Sequence, residues 1–144
     1  LLAGCISTGK DILASEVLGA DYAYMGTRFI ATEEASASDE YKKMVVDSKA
    51  NDVIYTPEFT GVNATFLRGS IEKVGINPNN VSGPSYKRPN KIWLFYKHWK
   101  MKKVKKWKDL WSAGQGVTSI NKVQSVEKCV EQLCEEYHQA KNNI

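Results

Sequence analysis

Apolar positions in this chain fall into short clusters, and the spacing inside each cluster predicts an element. Leu1, Leu2 and Ala3 run unbroken and stop at Gly4, as a short strand does. Ser7 or Thr8 can then cap a helix, with Asp11 three residues after Thr8 as in a capping box. Leu13/Val17 and Ala14/Leu18 pair at i,i+4, and Gly19 stands where a helix stops. Tyr22 to Met25 read as a second strand ending at Gly26-Thr27. Strand, short helix and strand in so few residues predict a parallel βαβ unit.

Further on, Ser38 caps a helix that carries Tyr41, Met44 and Val45 and runs to about Ser48. Val53 to Thr56 predict a β-branched strand stopped by Pro57. Phe59 to Val62 turn into a stretch with no clear period. Leu67, Ile71 and Val74 then keep helical spacing up to Gly75. Residues 77–91 hold three prolines and read as an exposed loop. Val104, Trp107 and Trp111 lie at i, i+3 and i+7, the pattern of an amphipathic helix, which Ser112 to Val117 break with two glycines. Ser125 caps a last helix whose expected buried face is Val126, Val130, Leu133 and Tyr137.

Composition adds a class. Hydrophobic residues at 42% and charged residues at 25% of 144 are those of one soluble globular domain, with no apolar run long enough to cross a bilayer. The net charge of +4 is local, because seven lysines fall between Lys97 and Lys108 with no acid among them. All four tryptophans lie in the same region. Lysines mixed with aromatics can bind nucleic acid or another polyanion. Helical order accounts for the apolar spacing without a ligand and is the preferred reading. Cys5, Cys129 and Cys134 have no metal-ligand spacing, and buried thiols in a reducing cytosol are expected for the last two. His98 and His138 stand apart from one another and read as surface residues. The chain opens inside a predicted strand, as a fragment would.

The candidate chemistry lies at the strand ends. Gly4 and Gly26 each follow a strand, so both turns fall on the carboxyl edge of a parallel sheet. Backbone N–H groups there, with the start of the helix at Thr8, suit a phosphate. Equally, the two glycines can serve only to make tight turns. Gly4 to Lys10 also fit the beginning of a G-x-x-x-x-G-K-[ST] loop, but Asp11 replaces the hydroxyl that would ligate magnesium, and that reading is rejected.

Leu2 to Ile12, Leu18-Gly19-Ala20-Asp21 and Met25 to Glu34 resemble the late part of nitronate monooxygenases, formerly called 2-nitropropane dioxygenases. Thr60-Gly61-Val62 and Ser112-Ala113-Gly114-Gln115-Gly116-Val117 resemble later pieces of the same family, in the right order. The resemblance implies an α/β fold, the C-terminal portion of a TIM (β/α)8 barrel with a small inserted α+β subdomain. Residues 1–31 would be the last two strands and the helix between them, 32–111 the substrate-side subdomain, and 112–144 the Gly-Gln-Gly loop and the C-terminal helix.

It further implies FMN as cofactor, held through its phosphate by Gly4, Cys5, Tyr24, Met25, Gly26 and Thr27, with Gln115 as an added contact. Cys5 departs from the pattern, since the family has a second glycine there, and a side chain is tolerable if φ is negative. The implied reaction is oxidation of an alkyl nitronate by molecular oxygen in the cytoplasm. The family's catalytic histidine has no match here, so no catalytic residue is assigned and the chain alone is expected to be inactive. The alternatives are a flavin-dependent enoyl-acyl-carrier-protein reductase and a basic module using residues 97–108.

Overall fold

The parallel pair at the head of the chain is present. In the computed structural model, which describes residues 1–83 and 106–143, β1 (Leu2–Ala3) pairs with β2 (Ala23–Tyr24) in the register Leu2↔Ala23 and Ala3↔Tyr24. Between them runs α1 (Gly9–Val17). Thr8 caps it in a full capping box, its hydroxyl accepting from the Asp11 N–H, and Gly19 ends it at φ +85°. The expected loop beyond residue 83, the lysine run up to Lys105, Trp93, Trp99 and His98 lie outside the described residues.

The chain divides into two compact units, residues 1–50 with 114–144, and residues 51–113. The first boundary falls later than the division after residue 31 drawn from the sequence. The reason is α3 (Asp39–Asp47), capped by Ser38, which packs on α2 (Thr27–Ile30) and on the 3-10 turn Gln115–Ser119. Its Lys42 is buried and donates to the Glu33 carbonyl at 3.0 Å.

The last helix of the described residues, here α6 (Val126–Lys141), lies along α1. Ser125 accepts from the Lys128 N–H, and the Glu34 carboxylate accepts from the Val126 N–H at 2.9 Å, placing a negative charge at the helix start. The expected buried face needs correction. Cys129 and Leu133 are buried, Val126 and Tyr137 are half-buried, and Val130 and Cys134 are exposed. The apolar stripe of α6 is wider than the strip α1 covers. Val130, Cys134 and part of Leu133 line a concavity of about 720 Å³ together with Ile12, Ala20 and Ala23.

At the far end of α6, Lys141 Nζ donates to the Tyr137 hydroxyl at 3.0 Å and lies 3.8 Å from Glu16 on α1. The Tyr137 hydroxyl itself donates to Glu16. The hydrogen bond to Tyr137, and next the Glu16 charge, hold the Lys141 ammonium above its usual 10.5. A raised lysine pKa stabilises the fold fully below the unfolded value, and the gain is lost as pH rises through the folded one. The stability difference between the protein and Lys141→Gln should therefore be flat across neutral pH in denaturant titrations and shrink above the usual 10.5. A difference that grew at high pH would contradict this. Lys141 is exposed, so added salt should weaken the effect as well.

The second unit is built on an antiparallel pair, β3 (Val53–Thr56) and β4 (Ala64–Leu67), in register Val53↔Leu67 to Thr56↔Ala64. The sequence period did not reveal β4. The helix expected from Leu67 onward, α4, starts instead at Arg68 and ends at Lys73, because Leu67 closes the strand. Phe59, Phe66, Ile71 and Leu110 form its core, with the two phenyl rings edge to face at 5.1 Å. Each buried side chain of this size contributes about 2 kcal/mol. After α5 (Lys106–Asp109), Trp111 is buried against α4, and its N–H donates to Ser70 Oγ at 3.1 Å.

Candidate functional site

The β1–β2 register sets Gly4 and Cys5 beside Met25 and Gly26, so the two turns leave the sheet at one edge. A third segment joins them. The N–H of Gly114 donates to Thr27 Oγ1 at 2.9 Å. A side chain on Gly116 would collide with Ser7 Oγ and come within 3.5 Å of the Cys5 carbonyl. The Gly-Gln-Gly stretch is thus pinned against both turns rather than loose, and exposed Gln115 stands between its two anchor points. All seven residues expected at the site lie on this edge or next to it. Tyr24 sits in the ladder and is 60% exposed, and Met25 is half-buried.

The amides differ in what they can still do. Among the described residues, the N–H groups of Cys5, Gly26 and Thr27 have no hydrogen-bond partner. The start of α1, by contrast, is already used. The Ser7 and Thr8 N–H groups donate to the Asp11 carboxylate at 2.9 and 2.8 Å, and the Gly9 N–H donates to Glu136 Oε2 at 2.8 Å. The expectation that the helix start at Thr8 helps hold a phosphate is corrected, since carboxylates of the chain itself occupy those donors. Asp11 also places a negative charge under the first turn, which favours an anion on the Gly26 side.

The two glycines are not equivalent. Gly4 has φ +103°, so a tight turn alone explains it. Gly26 has φ −110°, open to any residue, and a Cβ built there meets nothing within 4 Å. Neither backbone strain nor packing in the described chain requires glycine at 26. The condition set for Cys5, a negative φ, is not met. Cys5 is exposed with φ +56° and follows Gly4 in the same left-handed region, a conformation that L side chains adopt at a cost.

Three residues that matter here were missed by sequence reasoning. A Cβ on Gly9 would sit 2.6 Å from Glu136 Cβ and closer still to the backbone of Leu133 and Tyr137, so glycine there is set by the α1–α6 contact. Glycine at the first position of a predicted helix was the available signal. Arg28 is buried, one residue after Thr27, and Glu136 holds the start of α1. Arg28 had only the hint of a lone charge among Met25 to Ala31. His138 is exposed on α6, with its ring edge to face with Tyr137. Among the described residues no cluster of His, Cys, Asp or Glu could hold a metal, and no helix is long and apolar enough to cross a membrane.

Two parallel strands joined through a helix place this unit in the α/β class. The sequence model of the nitronate monooxygenase family matches residues 1–136, and the chain belongs to that family. A probable nitronate monooxygenase of Staphylococcus haemolyticus is 45% identical over 62 residues, 43% of this chain and 17% of that protein. One from Staphylococcus aureus is 38% identical over 61 residues, again 17% of its length. A nitroalkane oxidase from Streptomyces ansochromogenes superposes over 99% of this chain with a TM-score of 0.66 at 26% identity. FabK from Thermotoga maritima does so over 98% with the same score at 24% identity, a likeness of fold. The chain spans 40% and 44% of those two solved chains.

Proposed function

We propose that this chain supplies the phosphate end of the flavin site in an FMN-dependent nitronate monooxygenase. In this reading β1, α1 and β2 are the last part of a (β/α)8 barrel, and the second unit belongs to the smaller substrate-side subdomain. The observation that carries it is Gly26, a glycine that neither its backbone angles nor its packing demands, flanked by free N–H groups on an edge shared with Cys5. That edge fits a dianion, with main-chain N–H donors and open space in place of a side chain.

The N–H groups of Cys5, Gly26 and Thr27 would hold phosphate oxygens. The Thr27 hydroxyl already accepts from Gly114, which leaves its own hydrogen to donate. Tyr24 and Met25 would flank the group, Gly4 would shape the first turn, and Gln115 would reach it from the pinned loop. FMN, when bound, supplies the electron acceptor needed to oxidise an alkyl nitronate with molecular oxygen. This chain contributes binding and orientation, and the base that assists the reaction comes from elsewhere, since the family's histidine motif has no match in this sequence. A cytoplasmic location and inactivity of these 144 residues alone belong to the same proposal.

The test is made on the complete natural protein carrying this sequence. Loaded with FMN and given ethyl nitronate in air, it should consume oxygen and release nitrite. Oxidation of NAD(P)H with no nitrite formed would point to the reductase alternative instead.

A further inference from the structure

The strongest unexplained feature in the first unit is a buried cation without an acid. Arg28 is 3% exposed, and among the described residues no carboxylate lies within ion-pair distance of it. Nη1 donates to the Ser119 carbonyl at 3.3 Å, Nη2 donates to Gln132 Oε1 at 3.1 Å, and Nε has no partner. A buried, incompletely bonded guanidinium is a poor stabilising device, since an apolar residue of similar volume in such a place is often neutral or better. Its virtue is geometric, because the planar fork can fix two elements at once.

The hydrogen bonds continue from there. Gln132 Nε2 donates to Glu136 Oε1 at 2.7 Å, and Glu136 Oε2 accepts from the Gly9 N–H at 2.8 Å. Gln124 Nε2 also donates to Gln132 Oε1, at 3.2 Å, which fixes the orientation of the Gln132 amide. The series runs from α2, which directly follows Gly26, through α6 to the first residue of α1, which follows the Gly4 turn. The same guanidinium holds the 3-10 turn after Gln115. Positive charge enters at Arg28 and negative charge stands at Glu136, with the Gln132 amide dipole aligned between them.

We infer that Arg28 and Gln132 are positioning residues whose relay to Glu136 sets the spacing of the two turns, and so the grip on the phosphate. The inference rests on the flavin reading above. Its test compares binding of FMN with binding of riboflavin, which shares the ring and ribityl chain but lacks the phosphate, to the complete apoprotein by fluorescence quenching. Arg28→Met removes the fork. Gln132→Leu cuts the relay while leaving both charged ends in place, and it decides the matter if Arg28→Met does not fold.

Each variant should lower the preference for FMN over riboflavin about tenfold, with riboflavin affinity nearly unchanged. A merely structural role would weaken both ligands in parallel, and that result, or an unchanged preference, would overturn the relay while leaving the flavin reading intact. If the unsubstituted protein itself shows no preference for FMN, the phosphate reading fails first and the relay falls with it.

Discussion

Gly26→Val in the complete protein is expected to leave the fold standing and to weaken FMN binding by about two orders of magnitude or more. The first half follows from φ −110° and from a Cβ that meets nothing within 4 Å. The second follows from what a branched side chain would do at an edge that offers main-chain donors. It would hold the phosphate off the N–H groups of Cys5 and Thr27. Charge-assisted hydrogen bonds are worth roughly 1.5–3 kcal/mol each, and each 1.4 kcal/mol is about tenfold in affinity. Thermal melting and flavin titration together check it. A variant that melts normally and binds FMN normally would return Gly26 to being only a turn residue. Gly4 offers no such separation, because any substitution at φ +103° strains the backbone whatever it does to a ligand.

The second large effect is purely structural. Gly9→Ala places a methyl group against the backbone of α6, at positions 133 and 137, where no side chain can rotate away. The two helices must separate, and the hydrogen bond from the Gly9 N–H to Glu136 stretches or breaks with them. Overpacking of this kind costs about 1–3 kcal/mol, and losing the charged partner of a buried donor adds a similar amount, so a loss of about 3 kcal/mol or more is expected. Urea denaturation of the same full-length protein measures it. A loss under about 0.5 kcal/mol, the range of ordinary surface changes, would show that the α1–α6 contact is not as close as described.

Elements defined by local chemistry were legible before any coordinates. The Thr8–Asp11 capping box, the Ser38 and Ser125 caps, and the stops at Gly19 and Gly75 each depend on a few neighbouring residues. What escaped depends on partners far along the chain. β4 and α2 are four residues each, too short to show a period. The buried face of α6 was read one residue out of place at Val130 because hydrophobicity marks an apolar stripe but not how much of it a neighbour covers. At the site, the glycines gave away the edge, but not which amides remained free. That was settled by Asp11 and by Glu136, the latter 127 residues from the amide it holds.

The central claim is that main-chain donors at Cys5, Gly26 and Thr27 grip the phosphate of FMN. A crystal structure of the complete protein with FMN bound tests it most directly. Phosphate oxygens are expected at about 3 Å from those nitrogens and from Thr27 Oγ1, the distance of a normal hydrogen bond. A flavin phosphate bound elsewhere, with these N–H groups facing only water, would contradict it.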